Sequence, residues 1–274
     1  MNLFKDKVAI VTGAASGIGQ ALCEELGRRG ALVIVTDINS EGAEKVASAI
    51  QAHGGRATAR EVDVSKEEDV QNIVERTVSE HGRLDFMFNN AGIDIGGELR
   101  DLRTEHWRRV IDINLWGVIY GSSAAYQVMV KQGYGHIVNT ASMVGLFPLP
   151  METAYVTAKH AVVGFSGSLY IEAAALGVHV SVICPDFVKS SFYKDSKHIN
   201  VDEAQLISQI PDFVYVSPQR CALIALRGVA RKKLIVTVGI FSKLLWGLYR
   251  YTPTFFLLGQ RIYARRLRRL RIGP

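Results

Sequence analysis

Features that mark secreted, zinc-bound and membrane-spanning proteins are scarce in this 274-residue chain. Its three cysteines, Cys23, Cys184 and Cys221, are an odd number without paired spacing. That argues against a disulfide framework or a zinc site, and for a reducing, cytoplasmic compartment. The seven histidines (His53, His81, His106, His136, His160, His179 and His198) show no metal-ligand spacing; most are expected at helix ends or exposed faces, and no metal is expected. Met1 to Lys7 is polar and runs straight into Val8 to Val11, leaving no basic leader with a long apolar region behind it and no expected secretory signal. No window reaches the ~20 apolar residues of a spanning helix. Acid is missing from one end: residues 240–274 hold eight of the 32 basic side chains and none of the 26 acidic ones. The net charge of +6 therefore belongs to that segment, the remainder is slightly acidic, and no nucleic-acid partner is expected.

What is present is an alternation. Short β-branched runs near 7–12, 31–37, 57–63, 84–89, 135–141, 178–184 and 234–238 alternate with amphipathic stretches near 17–29, 41–53, 67–81, 104–131, 153–177 and 217–231. This is the pattern of an α/β domain with a doubly wound parallel sheet covered on both faces. Gly30, Gly54, Gly82, Gly133 and Gly177 stand where helices should stop in a left-handed residue. The expected division is one domain over 1–239 and a basic, aromatic extension over 240–274. The irregular interval 185–216 follows the sixth strand, where such sheets place their ligand crevice, and reads as a lid.

The first strand ends in Thr12-Gly13-Ala14-Ala15-Ser16-Gly17-Ile18-Gly19 and passes into a helical pattern. Glycines at 13, 17 and 19 let a pyrophosphate approach the backbone, and the helix start supplies N–H groups and a positive dipole end. The second strand ends at Asp37, whose carboxylate can accept from ribose hydroxyls and would repel a 2′-phosphate, favouring NAD over NADP. A helix-capping role for Asp37 is the alternative. Asp63, ending the third strand beside Val64, either faces the adenine or caps the next helix.

With Asn89-Asn90-Ala91-Gly92 after the fourth strand, Asn114 in the long helix, Ser142 after the fifth strand and Tyr155-x3-Lys159, the chain resembles the short-chain dehydrogenases/reductases over residues 5 to about 239. The resemblance implies a Rossmann sheet of order 3-2-1-4-5-6-7 and a catalytic tetrad of Asn114, Ser142, Tyr155 and Lys159. It also implies that Asn114 distorts its helix and holds a water linking Lys159 to solvent, and that the protein is a homodimer or homotetramer. The expected cofactor contacts are Gly13, Ser16, Gly17, Ile18, Gly19, Asp37, Asp63, Val64, Asn90, Ala91, Gly92, Tyr155, Lys159, Pro185, Phe187, Val188 and Ser190.

The chemistry is consistent with that set. A free tyrosine, with pKa about 10, is nearly all protonated at neutral pH, so using it as a base for an alcohol proton needs a neighbouring cation. Tyr155 and Lys159 are spaced i, i+4 on one helical face, and Ser142 at a strand end can donate to the substrate oxygen. A second pair, Tyr193-x3-Lys197, lies in the lid without such a serine and reads as a surface pair. Trp107, Val110, Ile111 and Leu115 recur at helical spacing and either pack inward or meet another subunit. The family's usual Pro-Gly after the sixth strand is replaced by Pro185-Asp186. If that position needs a positive φ, Asp carries a cost there; its carboxylate could also stabilise an oxidised nicotinamide.

Met143, Val144, Leu146, Phe147, Leu149, Met151, Phe187, Phe192 and Tyr193 form the expected substrate lining, apolar with few fixed charges, suited to a bulky hydrophobic alcohol or ketone. Lys189, Lys194 and Lys197 in the lid either meet an acidic group or are ordinary mobile surface lysines, the commoner case. The extension carries seven of the 24 aromatic residues beside its eight basic ones, and 257–271 forms an imperfect amphipathic helix. Either it lies on an anionic membrane surface, peripheral to the bilayer, or its apolar side packs on the domain or a second subunit. The expected activity is NAD-dependent interconversion of a hydrophobic secondary alcohol and its ketone. The rivals are a 3-oxoacyl thioester reductase and a cofactor-binding, membrane-associated scaffold.

Overall fold

The apolar, β-branched runs become strands buried on both faces, with alternate side chains feeding two separate cores. The computed structural model describes residues 3–190, 192 and 196–272. In β1 (Val8–Thr12) and β2 (Leu32–Asp37), Ala9, Val11, Val33 and Val35 point to one core while Ile10 and Ile34 point to the other. This is the period-2 geometry of a strand with helices on each side. The first core is closed by α1 (Gly17–Arg28), α2 (Ser40–Ala52) and α8 (Pro218–Ala230), and the second by α3 (Glu67–His81), α5 (Gly117–Gln132) and α6 (Thr153–Ala173).

The parallel sheet runs β3 (Arg56–Glu61), β2, β1, β4 (Phe86–Asn89), β6 (Gly135–Thr140), β7 (Val178–Cys184), β9 (Ile235–Thr237). Counting only these strands, this is the order 3-2-1-4-5-6-7. The chain reverses direction across the sheet between β1 and β4, which opens a crevice at the carboxyl ends of the strands. Gly30, Gly54, Gly82, Gly133 and Gly177 all carry positive φ beyond helix ends, as the sequence pattern requires.

Local chemistry sets some helix starts. The Asn39 side chain caps α2 by accepting from Gly42, and Ser217 caps α8, which has Pro218 in its first turn. The long helix expected over 104–131 is broken. It consists of α4 (Thr104–Ile111), a π turn (Asp112–Trp116) and α5. Val110 packs fully inward, while Trp107, Ile111 and Leu115 pack half-buried beside it.

The lid is more ordered than an irregular loop. A short parallel pair, β5 (Ile95–Gly97) with β8 (Lys197–Ile199), ties it to the chain beyond Gly92, and α7 (Glu203–Ser208) is capped by Asp202. Beyond the sheet, α9 (Ile240–Tyr251) and α10 (Pro253–Leu267) fold back over the crevice side. Phe256 meets Phe147 at 5.6 Å, and Leu267 and Leu270 pack with Met151 and Val201. Arg271 bridges Val201 in antiparallel fashion and its guanidinium pairs with Asp101 at 2.8 Å, so the end of the chain straps the lid. No helix among the described residues is long and apolar enough to cross a membrane.

Candidate active site

A cavity of about 430 Å³ opens at the reversal point, within the usual size of a small-molecule site. Of the expected cofactor contacts it takes in all but Gly19, which lies under the glycine turn, and it also takes in Ser142. At Gly13 (φ +61°) a Cβ would press against the Ala91 backbone, and at Gly17 (φ +56°) it would crowd Ser190 across the cavity. Both positions need glycine twice over, for conformation and for space. Thr12 Oγ1 accepts from the amides of Asn90 and Ala91, and Asn90 Nδ2 donates to the Thr12 and Gly13 carbonyls, so the fourth-strand motif holds the glycine turn in place. Deeper in, Asn89 donates to Asn139 and Ser122, a buried polar network that locks β4 against β6 and α5.

Asp37 lies at the mouth of the turn, where one carboxylate oxygen accepts from Ala15 N at 2.9 Å and the other from Asn39 N. It is not the cap of α2, which is Asn39. Asp63 accepts from the Ser65 amide and hydroxyl, while Lys66 stands at the start of α3. It therefore stabilises the turn before that helix and still lines the cavity. The fit to a dinucleotide rests on this cradle: two glycines whose side chains would fill it, a helix N-terminus beneath it and a carboxylate at its rim.

The π turn places Asn114 wholly inside, where its side chain exchanges two 2.8 Å hydrogen bonds with the Ile93 backbone. An extra residue in the helix is what swings this side chain out of helical register toward β4. Gly92 is the remaining requirement, since a Cβ there would press on Asn114 Oδ1. Lys159 is 2% exposed, donates to the Thr140 carbonyl at 2.9 Å and lies 5.5 Å from the Tyr155 ring centroid. Burial pushes its ammonium down to about 8. Ser142 opens a short helical turn, its Oγ accepting from Val144 N at 3.3 Å. Three of the four side chains marked by the resemblance thus meet in one cavity, and Asn114 stands behind them against Gly92.

The expected substrate lining needs correction. Met143, Val144, Leu149, Phe187 and Phe192 line the cavity, but Phe147 is fully buried against Phe256, Leu146 packs in the same core, and Met151 packs against the end of the chain. Tyr193 and Lys194 lie outside the described residues; Lys197 sits on β8. Nor is the wall free of ionisable groups, because Asp94 and Glu152 line it. His198, expected to be scattered with the others, hydrogen-bonds Glu152 at 2.8 Å and has only 9% of its side chain exposed. His136, buried beside Ser181, is another that does not lie on a surface. Burial raises the carboxyls of both Asp94 and Glu152, Glu152 to about 7, and the neighbouring Glu152 charge pushes Asp94 further up. Glu152 stands three residues before Tyr155 on the same helix side, and Asp94 two after Gly92, so each had a local signal. His198 had none, because its place depends on β8 finding β5.

Folded Glu152 keeps its proton up to about 7, whereas the unfolded side chain loses it near 4.5. The folded state binds more protons between these values, so stability falls as pH rises through that window and levels off above it. Glu152→Gln should flatten this dependence, worth on the order of 2–3 kcal/mol in urea titrations across the window; an unchanged slope would place the titration elsewhere.

Asp186 is also reassigned. It keeps an ordinary negative φ, and its carboxylate accepts from Ser242 N at 3.1 Å, capping the first turn of α9. A Cβ on Gly239 would run into that carboxylate. The departure from Pro-Gly thus ties the extension to the end of β7, while Asp186 also borders the cavity. Asp186→Ala should cost about 1–2 kcal/mol in unfolding free energy while leaving the NAD/NADH affinity ratio unchanged.

Known proteins agree with this geometry. A structure of a short-chain dehydrogenase/reductase from Burkholderia phymatum in complex with NAD superposes with a TM-score of 0.84 at 26% identity, covering 92% of this chain and 95% of that one. Cyclohexanol dehydrogenase of Acinetobacter sp. strain SE19 is 38% identical over 212 residues, 77% of this chain and 82% of that protein. The 3-oxoacyl-(acyl-carrier-protein) reductase FabG of Haemophilus influenzae is 35% identical over 207 residues, 75% and 83% of the two chains. The short chain dehydrogenase family model matches residues 7–200, most of the sheet and the whole of the Ser142, Tyr155 and Lys159 constellation. The chain belongs to the short-chain dehydrogenase/reductase family, oxidoreductases acting on CH–OH groups.

Proposed function

We propose that this enzyme interconverts a hydrophobic secondary alcohol and its ketone with NAD(H), using Tyr155 as the acid and base. The observation that carries the reading is the meeting of Ser142, Tyr155 and buried Lys159 in the same cavity as the glycine turn and Asp37. Bound NAD would supply the hydride acceptor, and NADH the donor; Gly13, Ser16, Gly17, Ile18, Asp37, Asn90 and Ser190 are the residues that would hold it. Tyr155 removes the hydroxyl proton in oxidation and returns it in reduction. The Lys159 ammonium beside the ring favours the phenolate, and its own lowered affinity for a proton lets it relay that proton inward. Ser142 donates to the substrate oxygen as negative charge grows there. Asn114 holds the Ile93 segment in place beside Gly92 and Lys159. Met143, Val144, Leu149, Phe187 and Phe192 exclude water from the reacting carbon and favour an apolar body.

The similarity to cyclohexanol dehydrogenase supports a secondary alcohol, and the similarity to FabG supports the second reading, reduction of a 3-oxoacyl thioester. Asp37 favours the first, because a carboxylate at the ribose position repels the 2′-phosphate of NADPH. Exposed Trp116, Tyr170 and Ile171 on the helices of Asn114 and Tyr155 support a homodimer or homotetramer built through them. A panel of alcohols and ketones with NAD(H) and NADP(H) tests the reading; turnover confined to NADPH and acyl thioesters would overturn it. Asp37→Ser should raise kcat/KM for NADPH relative to NADH by about tenfold or more.

A further inference from the structure

The extension, whose inner side packs behind the cavity wall, has a second amphipathic pattern facing outward. In α9, Phe241, Leu245 and Tyr249 pack into the cavity-side core. Ile240, Leu244, Leu248 and Tyr251 remain exposed, Leu244 to 66%. At about 100° per residue these four form one stripe, with Lys243 and Arg250 along its edge. The following helix repeats the arrangement: Phe256, Tyr263 and Leu267 face inward, while Phe255, at 75% exposure, Leu258 and Ile262 form an outer row. Arg261 and Arg265 border that row on one side and Arg266 on the other. Single exposed leucines are ordinary, but a row of leucines and aromatics across two successive helices marks an interaction surface.

Charge selects the occupant. Arg268 and Arg271 are spent on Glu98 and Asp101, but Lys243, Arg261, Arg265, Arg266 and Arg269 pair with no acid among the described residues. A second copy applied to this surface would set two acid-free basic segments against each other. An anionic bilayer accepts both features, the apolar row among the upper acyl chains and the guanidiniums at the headgroup phosphates. We propose that α9 and α10 dock this enzyme on an anionic lipid bilayer. Docking does not depend on the reaction. Its consequence does rest on the oxidoreductase reading: the apolar wall of the cavity would stand just above the lipid, where a membrane-dissolved alcohol enters.

Sedimentation of the full chain with vesicles of phosphatidylcholine alone, or of phosphatidylcholine with phosphatidylglycerol, tests this. Turnover of a water-soluble alcohol and sedimentation velocity would be measured on the same samples. Preferential binding to the anionic vesicles is expected. Leu244→Ser/Leu248→Ser/Leu258→Ser/Ile262→Ser should weaken it by about tenfold or more. Arg261→Gln/Arg265→Gln/Arg266→Gln should erase the preference between the two compositions. All seven side chains are exposed, so unfolding temperature and turnover should hold in both variants. Absence of binding by the wild type, or equal binding by wild type and serine variant, would overturn the proposal. So would an oligomer that dissociates on serine substitution while vesicle binding stays unchanged, which would assign the surface to a second copy. Vesicle binding without turnover of any alcohol or ketone in the panel would overturn the proposed reaction and leave the docking intact.

Discussion

Tyr155→Phe is expected to lower NAD(H)-linked turnover by roughly a thousandfold while cofactor affinity changes little. In the proposed reaction the phenol oxygen exchanges a proton with substrate, and phenylalanine keeps the ring that packs 6.0 Å from Phe192. Water cannot readily substitute, because Met143, Val144 and Phe187 close the cavity around the reacting centre. The measurement is steady-state turnover on the best substrate from the panel, beside a fluorescence titration of NADH. Turnover within a few fold of the wild type would sink the mechanism. A large loss of NADH affinity would show instead that the ring chiefly shapes the cofactor site.

The second large effect concerns stability. Phe256→Ala should cost about 3–5 kcal/mol, because the ring is 3% exposed and packs 5.6 Å from Phe147 and 5.2 Å from Tyr249. Its removal leaves a cavity behind the substrate wall, and Phe147 and Tyr249 can collapse into it only partly. The neighbouring Phe255 is the control. At 75% exposure it faces solvent, and Phe255→Ala should stay within about 0.5 kcal/mol in the same urea titrations. Equal effects at the two positions would mean that α10 does not pack on the core in solution. For the same reason, removing residues 240–274 would strip the packing behind the site's apolar wall as well as a surface from the protein, and point substitutions separate the two roles.

Much of the site was legible because its residues sit at fixed offsets from regular elements. The glycine turn joins a strand to a helix, Asp37 ends the next strand, and Tyr155 and Lys159 are one helical turn apart, so spacing alone brings each to the crevice. The break in the long helix at Asn114 has no comparable composition signal; family resemblance carried it. The capping role of Asp186 was not legible, because its partner, the amide of Ser242, lies 56 positions away in a segment without a family pattern. His198 was passed over for the same reason, since Glu152 lies 46 positions before it.

By itself, the sequence determined the doubly wound sheet, the glycine turn at its reversal point, the helical pairing of Tyr155 with Lys159 and the confinement of excess positive charge to 240–274. These depend on periodicities of two and 3.6 residues, on glycine where a side chain will not fit, and on composition, all of which are local. Only the tertiary structure decided that the basic extension is two-faced, that its inner side completes the core beside the substrate cavity, and that a buried carboxyl pair with a histidine borders that cavity. Each of these requires segments tens of residues apart to meet. Such meetings depend on which apolar faces remain uncovered once the sheet and its helices have packed, and no spacing along the chain records that.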